Sequence, residues 1–259
     1  MNPTIDLNAD AGESFGAWTL GDDEALFGSL SSVNIACGFH AGDPLTIQAA
    51  IARAKRHSLG IGAHPSYPDL AGFGRRILDA DPEQVYADVL YQIAAVGGMA
   101  KAVGTALRHV KAHGALSTRA WTHAPTAAAI ARATRDFSPV LPLLVLPATL
   151  LESEARKLGV PVVLEAFPER AYLSNGQLAP RSMPGASLHD PQDVARRAVM
   201  MTTERRVETI DGGFFEFGEA GVGSLCIHGD NPNAPALARA VREALEGAGV
   251  AVAAFAGPG

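Results

Sequence analysis

Ile5-Asp6-Leu7-Asn8-Ala9-Asp10-Ala11-Gly12-Glu13 alternates apolar and polar side chains and then breaks at a glycine. Successive side chains of a strand point to opposite faces, so Ile5, Leu7 and Ala9 share one face and Asp6, Asn8 and Asp10 the other. Helices packed on a sheet claim the apolar face. The polar set must then look into an interior, which a closed βα barrel supplies. The glycine lets the chain turn sharply, leaving ionisable groups at the strand's C-terminal end, where α/β folds build their sites.

Four further runs end the same way: Val33-Asn34-Ile35-Ala36-Cys37-Gly38-Phe39-His40-Ala41-Gly42-Asp43, Gly62-Ala63-His64-Pro65, Val110-Lys111-Ala112-His113-Gly114 and Leu225-Cys226-Ile227-His228-Gly229-Asp230. Strand-like runs are expected near Ile5–Asn8, Val33–Ala36, Gly60–Ala63, His109–Lys111, Leu143–Leu146, Val162–Glu165, Leu225–His228 and Val250–Phe255, with a weaker one at Val207–Ile210. Between them Asp43-Pro44, Asp81-Pro82 and Asp190-Pro191 each place an N-cap acceptor before a proline suited to the first helical turn. Val85, Val89, Ile93 and Val96 then follow helical spacing, and Asn233 can cap a helix carrying Leu237, Val241 and Leu245. Strand and helix alternate without a linker or a composition break. The expectation is α/β: one domain over residues 1–259, a single irregular TIM-like βα barrel with about seven parallel strands.

Parity applied along the barrel gathers Asn34, His64, Lys111, His113, Glu165 and His228 with the polar face of the first strand. A barrel interior is ordinarily filled by branched apolar side chains, and an unpaired buried charge costs several kcal/mol, roughly. These groups must be paired or functional, and the reading is an enzyme. Asp10 is a candidate carboxylate and Glu13 a second one. His40 sits before a helix N-terminus that favours an anion, while Asp43 has a structural task as that helix's cap. Cys37 could be a nucleophile with His40 as base, although a small buried apolar role suits it and Cys226 better. His109 and His113 are four apart, but along a strand that is about 13 Å, too far to share an ion. No metal is assigned on this reading, and an ion held by groups from separate strands stays open. Lys111 could clamp substrate, act as a base if desolvated, or pair with Asp10 or Glu165. Two stretches escape the βα rhythm, Ser66–Ala80 and Phe167–Ser187, and loops of this length often bind ligands. Their Arg75, Arg76, Arg170 and Arg181 suit recognition of a carboxylate or phosphate.

Composition narrows the classes. A formal charge of −6 argues against a nucleic-acid surface. No apolar stretch reaches the ~18–20 residues of a membrane span, and two cysteines imply no disulfide framework, so a cytoplasmic protein is expected. No phosphate-cradling G-x-x-x-x-G-K-[ST] loop, no G-x-G-x-x-G and no G-x-S-x-G occur, so the chain shows no recognised means of binding ATP.

The motifs carry a family resemblance. Asp6-Leu7-Asn8-Ala9-Asp10-Ala11-Gly12-Glu13, Asn34 to Asp43, Gly62-Ala63-His64-Pro65-Ser66-Tyr67-Pro68-Asp69, Phe73-Gly74-Arg75, Tyr91-Gln92-Ile93, Arg108-His109-Val110-Lys111, Ala171-Tyr172, Pro180-Arg181-Ser182 and His228-Gly229-Asp230 resemble the LamB/YcsF family from residue 5 to about residue 254. The resemblance implies a βα barrel of the glycoside hydrolase/deacetylase type. It also implies a part in ATP-dependent opening of 5-oxoproline to glutamate with partner subunits B and C, ATP being bound by or shared with those partners. Asp10 and His64 would then be acid/base groups, Lys111 and His113 would polarise the carbonyl, and Arg75 or Arg181 would hold the substrate carboxylate. Asn8, Glu13, Asn34, His40, Asp43 and His228 would complete the substrate site. The chain departs from the family's Lys-Pro-His-Gly and Leu-Tyr-Asn pattern at Lys111-Ala112-His113-Gly114-Ala115-Leu116-Ser117-Thr118, losing a tyrosine near the site. Two other classes remain: a metal-dependent deacetylase acting on a sugar amide, and a non-catalytic scaffold that binds a small acid.

Overall fold

The computed structural model describes residues 3–229, 231 and 233–255; Asp230 of the fifth run lies outside the described residues. The strands are β1 (Thr4–Ala11), β2 (Ser32–Ala36), β3 (Gly60–His64), β4 (Leu107–Lys111), β5 (Leu143–Val145), β6 (Val162–Ala166), β7 (Arg206–Glu208), β8 (Phe214–Glu216), β9 (Ser224–Ile227) and β10 (Ala251–Val252). Among the described residues seven of them run parallel in the order β1-β2-β3-β4-β5-β6-β9, and β9 pairs back onto β1 to close a barrel. Two expectations need correction. The run at Val250–Phe255 yields only the short β10, which pairs with the start of β1 rather than entering the ring. The weak run at Val207–Ile210 forms β7, which pairs antiparallel with β8 apart from the barrel.

Helices cover the outside: α1 (Asp23–Phe27), α2 (Pro44–Arg56), α3 (Pro82–Ala102), α4 (Gly114–Thr122), α5 (Ala124–Phe137), α6 (Leu150–Lys157), α7 (Pro191–Thr203) and α8 (Ala234–Gly247). The caps explain where several of them begin. Asp43, Asp81 and Asp190 each accept from a backbone N–H in the first turn ahead of a proline. Asn233 stands at the start of α8 without a side-chain cap; Asn231 accepts from its N–H instead. On α3 the periodic Val85, Val89, Ile93 and Val96 are buried as expected. Gln92 on the same face brackets Ser66, accepting from its N–H and donating to its carbonyl, which fixes the start of the first long loop.

The parity of β1 holds. Ile5, Leu7 and Ala9 join the apolar core between barrel and helices, while Asp6, Asn8 and Asp10 are buried inside. The interior is built in polar tiers. At the base, Ser31, Ser32 and Ser224 donate to Asp6. Burial pushes the Asp6 carboxyl up to about 6, against these hydroxyl bonds. Above it, Asn8 donates to Glu165 and Ser224, and Asn34 donates to Asn8 and Asp10. His109 reaches Asn34 through Nε2 at 2.6 Å. That ring fits because Gly62 faces it: a Cβ there would lie 2.0 Å from His109 Nε2.

Candidate active site

The upper tier opens on a cavity of about 530 Å³, large enough for a small metabolite. Asp10, Glu13, His64, Lys111, His113 and His228 all line it, as do Arg75 and Arg181. Asp10, Glu13, His64, Lys111, His113 and His228 stand at or just beyond the C-terminal ends of β1, β3, β4 and β9, and Arg75 and Arg181 come from the two long loops. Asn8 and Asn34 lie beneath the cavity, where they position Asp10 and Lys111.

Lys111 is the electrostatic centre. Its ammonium lies 3.1 Å from Asp10 Oδ1 and 3.1 Å from Glu165 Oε1, and donates to Cys226 Sγ at 2.9 Å. Burial would discharge it, but Asp10, Cys226 and Glu165 hold its pKa well above the ordinary value. Lys111 is therefore an ammonium and not a base. Burial likewise works to raise Asp10, yet His64 and Lys111 outweigh it and hold the carboxyl well below its usual range. Asp10 is a carboxylate, 3.4 Å from His64 Nε2.

The imidazoles are oriented by backbone. His64 Nδ1 lies 2.7 Å from the Lys111 carbonyl and His113 Nε2 lies 2.8 Å from the Phe73 carbonyl. Burial is the main force driving His113 down to about 3, so its ring is neutral. Its proton sits on Nε2, because a carbonyl only accepts. His113 thus presents a bare Nδ1, an acceptor, toward His64 Nε2 at 3.1 Å. The Ser66–Ala80 loop makes this geometry. Gly74 adopts φ +63°, and a Cβ there would meet His113 Cδ2 at 2.7 Å and His40 Cβ at 2.9 Å. The next turn is tied down by Asp69, which binds Arg76 and caps Gly72.

Other expectations move. Asp43 does not line the cavity; its carboxylate caps α2 and accepts from Gly16, so its assignment to substrate is corrected to a structural one. His40 is fully buried behind the wall, where its Nε2 lies 3.2 Å from Glu13 Oε1. The Cys37 thiol bonds the Ile35 carbonyl and accepts from the His64 N–H, and burial raises its pKa far from a nucleophile's range. Cys226 is no mere apolar filler, since it accepts from Lys111. Arg170, read as a ligand contact, spends its guanidinium on the Ala179 and Ala186 carbonyls and so shapes the second loop. His228 bonds Glu169 through both its backbone N–H and its ring. The sequence reading missed Glu169 because it lies in an irregular loop with no period to flag it. Ser117 and Thr118, in the segment that departs from the family pattern, line the cavity.

A parallel barrel whose strand ends converge on ionised and imidazole side chains around one cavity is the architecture of a metabolic enzyme. The chain belongs to the LamB/YcsF family, whose model matches residues 5–258. It is similar to the A component of a Thermus thermophilus 5-oxoprolinase, 59% identical over 97% of this chain and 99% of that protein. The Deinococcus radiodurans protein of the same name is 50% identical over 96% of each chain. The crystal structure of a lactam utilization protein, also from Thermus thermophilus and 57% identical, matches with a TM-score of 0.93 over 97% of this chain and 100% of that one.

Proposed function

We propose that this chain is the ring-opening component of an ATP-dependent 5-oxoprolinase, converting 5-oxo-L-proline to L-glutamate together with subunits B and C. The observation that carries the reading is the cavity-facing set of Asp10, His64, Lys111 and His113 in a chain 59% identical to a protein named as the A component of a 5-oxoprolinase. A lactam is a resonance-stabilised amide that water attacks slowly. Phosphoryl transfer to its oxygen makes the ring carbon electrophilic. Water then adds to that carbon, the C–N bond breaks as the nitrogen takes up a proton, and a second water displaces phosphate, with the former carbonyl oxygen, from the resulting acyl phosphate to leave the carboxylate.

This chain's residues suit the second half of that sequence. His113 Nδ1 and His64 Nε2, 3.1 Å apart with Asp10 behind the latter, suit transfer of a proton from the attacking water. Lys111 opposes negative charge as it develops at the carbon being attacked. Arg75 and Arg181 at the cavity wall match the substrate carboxylate. Activation would use ATP bound by or shared with the partner subunits, and the reaction is assigned to the cytoplasm as part of this reading. The test is conversion of 5-oxoproline with ATP, first by this chain alone and then with candidate B and C subunits. Turnover only in the mixture supports the division of labour; robust ATP-dependent turnover by the chain alone contradicts it.

A further inference from the structure

His64 and His113 bring two ring nitrogens together beside the cavity. Each ring gives its outer nitrogen to a backbone carbonyl, of Lys111 and Phe73 respectively, which can only accept. The inner nitrogens, His64 Nε2 and His113 Nδ1, face each other at 3.1 Å, and the Asp10 carboxylate lies 3.4 Å from His64 Nε2. Such a gathering of ring nitrogens and carboxylates calls for a positive centre among them, a proton or a metal ion. An outer N–H on a carbonyl is also how metal-bound histidines are held in the ligating tautomer.

A carboxylate completes the set. Glu13 Oε1 is 3.8 Å from His113 Nδ1, and Glu13, His40, His64 and His113 each offer an atom within 4.8 Å of all the others. Around a zinc-class ion with ~2.0–2.1 Å bonds, tetrahedral ligand atoms stand about 3.4 Å apart, close to the 3.1 and 3.8 Å seen here. His40 plays another part. Its ring stacks on His113 at 3.8 Å and 6°, so the two rings run parallel instead of converging on one point. Its Nε2 lies on Glu13, and its buried Nδ1 meets no hydrogen-bond partner among the described residues, the place for a bare nitrogen and not for an N–H. Glu13, His64 and His113 line the cavity, whereas His40 does not.

We infer that His64, His113 and Glu13 form a site for one divalent transition-metal ion of the zinc class, with His40 anchoring the carboxylate and the fourth position open to the cavity. Two imidazoles and a carboxylate with an open position form a donor set suited to a catalytic ion, which binds and polarises an oxygen of the molecule in the cavity. With an ion bound, His64 and His113 no longer take a proton and the ion activates water in their place; the inference goes beyond the 5-oxoprolinase reading and does not depend on it, because occupancy is measured without turnover.

The full-length chain, stripped with a chelator and dialysed, is titrated with Zn²⁺ by calorimetry, with bound metal counted by elemental analysis. One ion per chain is expected, and Co²⁺ in its place should show the intense visible absorption of a tetrahedral site. His113→Ala and His64→Ala should abolish the stoichiometric binding, and His40→Gln should weaken it by ~10–100-fold. Should those variants misfold, imidazole ¹⁵N spectra of the wild-type chain decide. Zn²⁺ must shift His64 Nε2 and His113 Nδ1. Substoichiometric uptake, equal binding by folded variants, or unmoved imidazole resonances would overturn the inference and leave a proton between the two rings.

Discussion

Replacing Lys111 with Met removes a positive charge that contacts both Asp10 and Glu165, the buried carboxylates at the cavity floor. The ammonium is 3.1 Å from both Asp10 and Glu165, where each attraction amounts to about 5 kcal/mol at an effective dielectric constant of 20. Much of this is offset by the cost of burying the ammonium, so the net loss on removing one partner of such a pair is about 3–5 kcal/mol. The pH dependence has a definite sign. Burial opposes ionisation of Asp10, but His64 and Lys111 hold its folded pKa below the unfolded value, so its contribution to stability is present at neutral pH and is lost as the solution is acidified. Without Lys111 part of that contribution disappears. Between pH 7 and pH 2 the deficit of Lys111→Met is therefore full at the neutral end and shrinks only below the ordinary carboxyl value of 3.8. Urea unfolding across that range measures it, and adding Asp10→Asn should restore part of the stability at pH 7. A variant within 1 kcal/mol of wild type at pH 7, or a deficit flat with pH, would refute the reasoning.

Asp6→Asn reports on the base of the barrel. Burial, acting against three serine hydroxyls, moves the carboxyl from an ordinary 3.8 up to about 6, so its neutral form is the one the fold favours. That contribution is complete below pH 3.8 and is lost as pH rises through 6, on the order of 3 kcal/mol. Wild type should lose this much relative to Asp6→Asn between pH 4 and 8 in urea unfolding; parallel curves would contradict it. Gly74→Ala puts a Cβ 2.7 Å from His113 Cδ2 at a φ of +63°, and should cost about 100-fold in kcat of the reconstituted enzyme. A wild-type kcat would show that the loop yields without moving His113.

What the sequence discloses is governed by periodicity. The alternation of β1 identifies which of its residues look inward, and the interior tiers of Asp6, Asn8 and Asp10 follow it residue by residue. The Asp-Pro pairs mark three helix starts because side-chain acceptor and proline act locally, needing nothing from the rest of the fold. Tertiary partners are what local pattern cannot carry. Asp43 reads equally well as cap or ligand until its distance from the cavity is known. Glu169 sits in a loop, and Arg197 on α7 turns inward to bond the Pro168 and Arg170 carbonyls, although arginine ordinarily marks an exposed face. The orientation of His113 depends on Phe73 across the site, 40 residues away, and no spacing rule reports it.

If the reacting carbon is served by this chain's own strand-end residues, His113→Ala in the reconstituted complex shows it most directly. The side chain lies at the barrel mouth, so the variant should melt near the wild-type temperature. Glutamate formation from 5-oxoproline and ATP should fall by roughly 10²–10³-fold while the subunits still assemble. A soluble variant that assembles and forms glutamate at the wild-type rate would contradict that role.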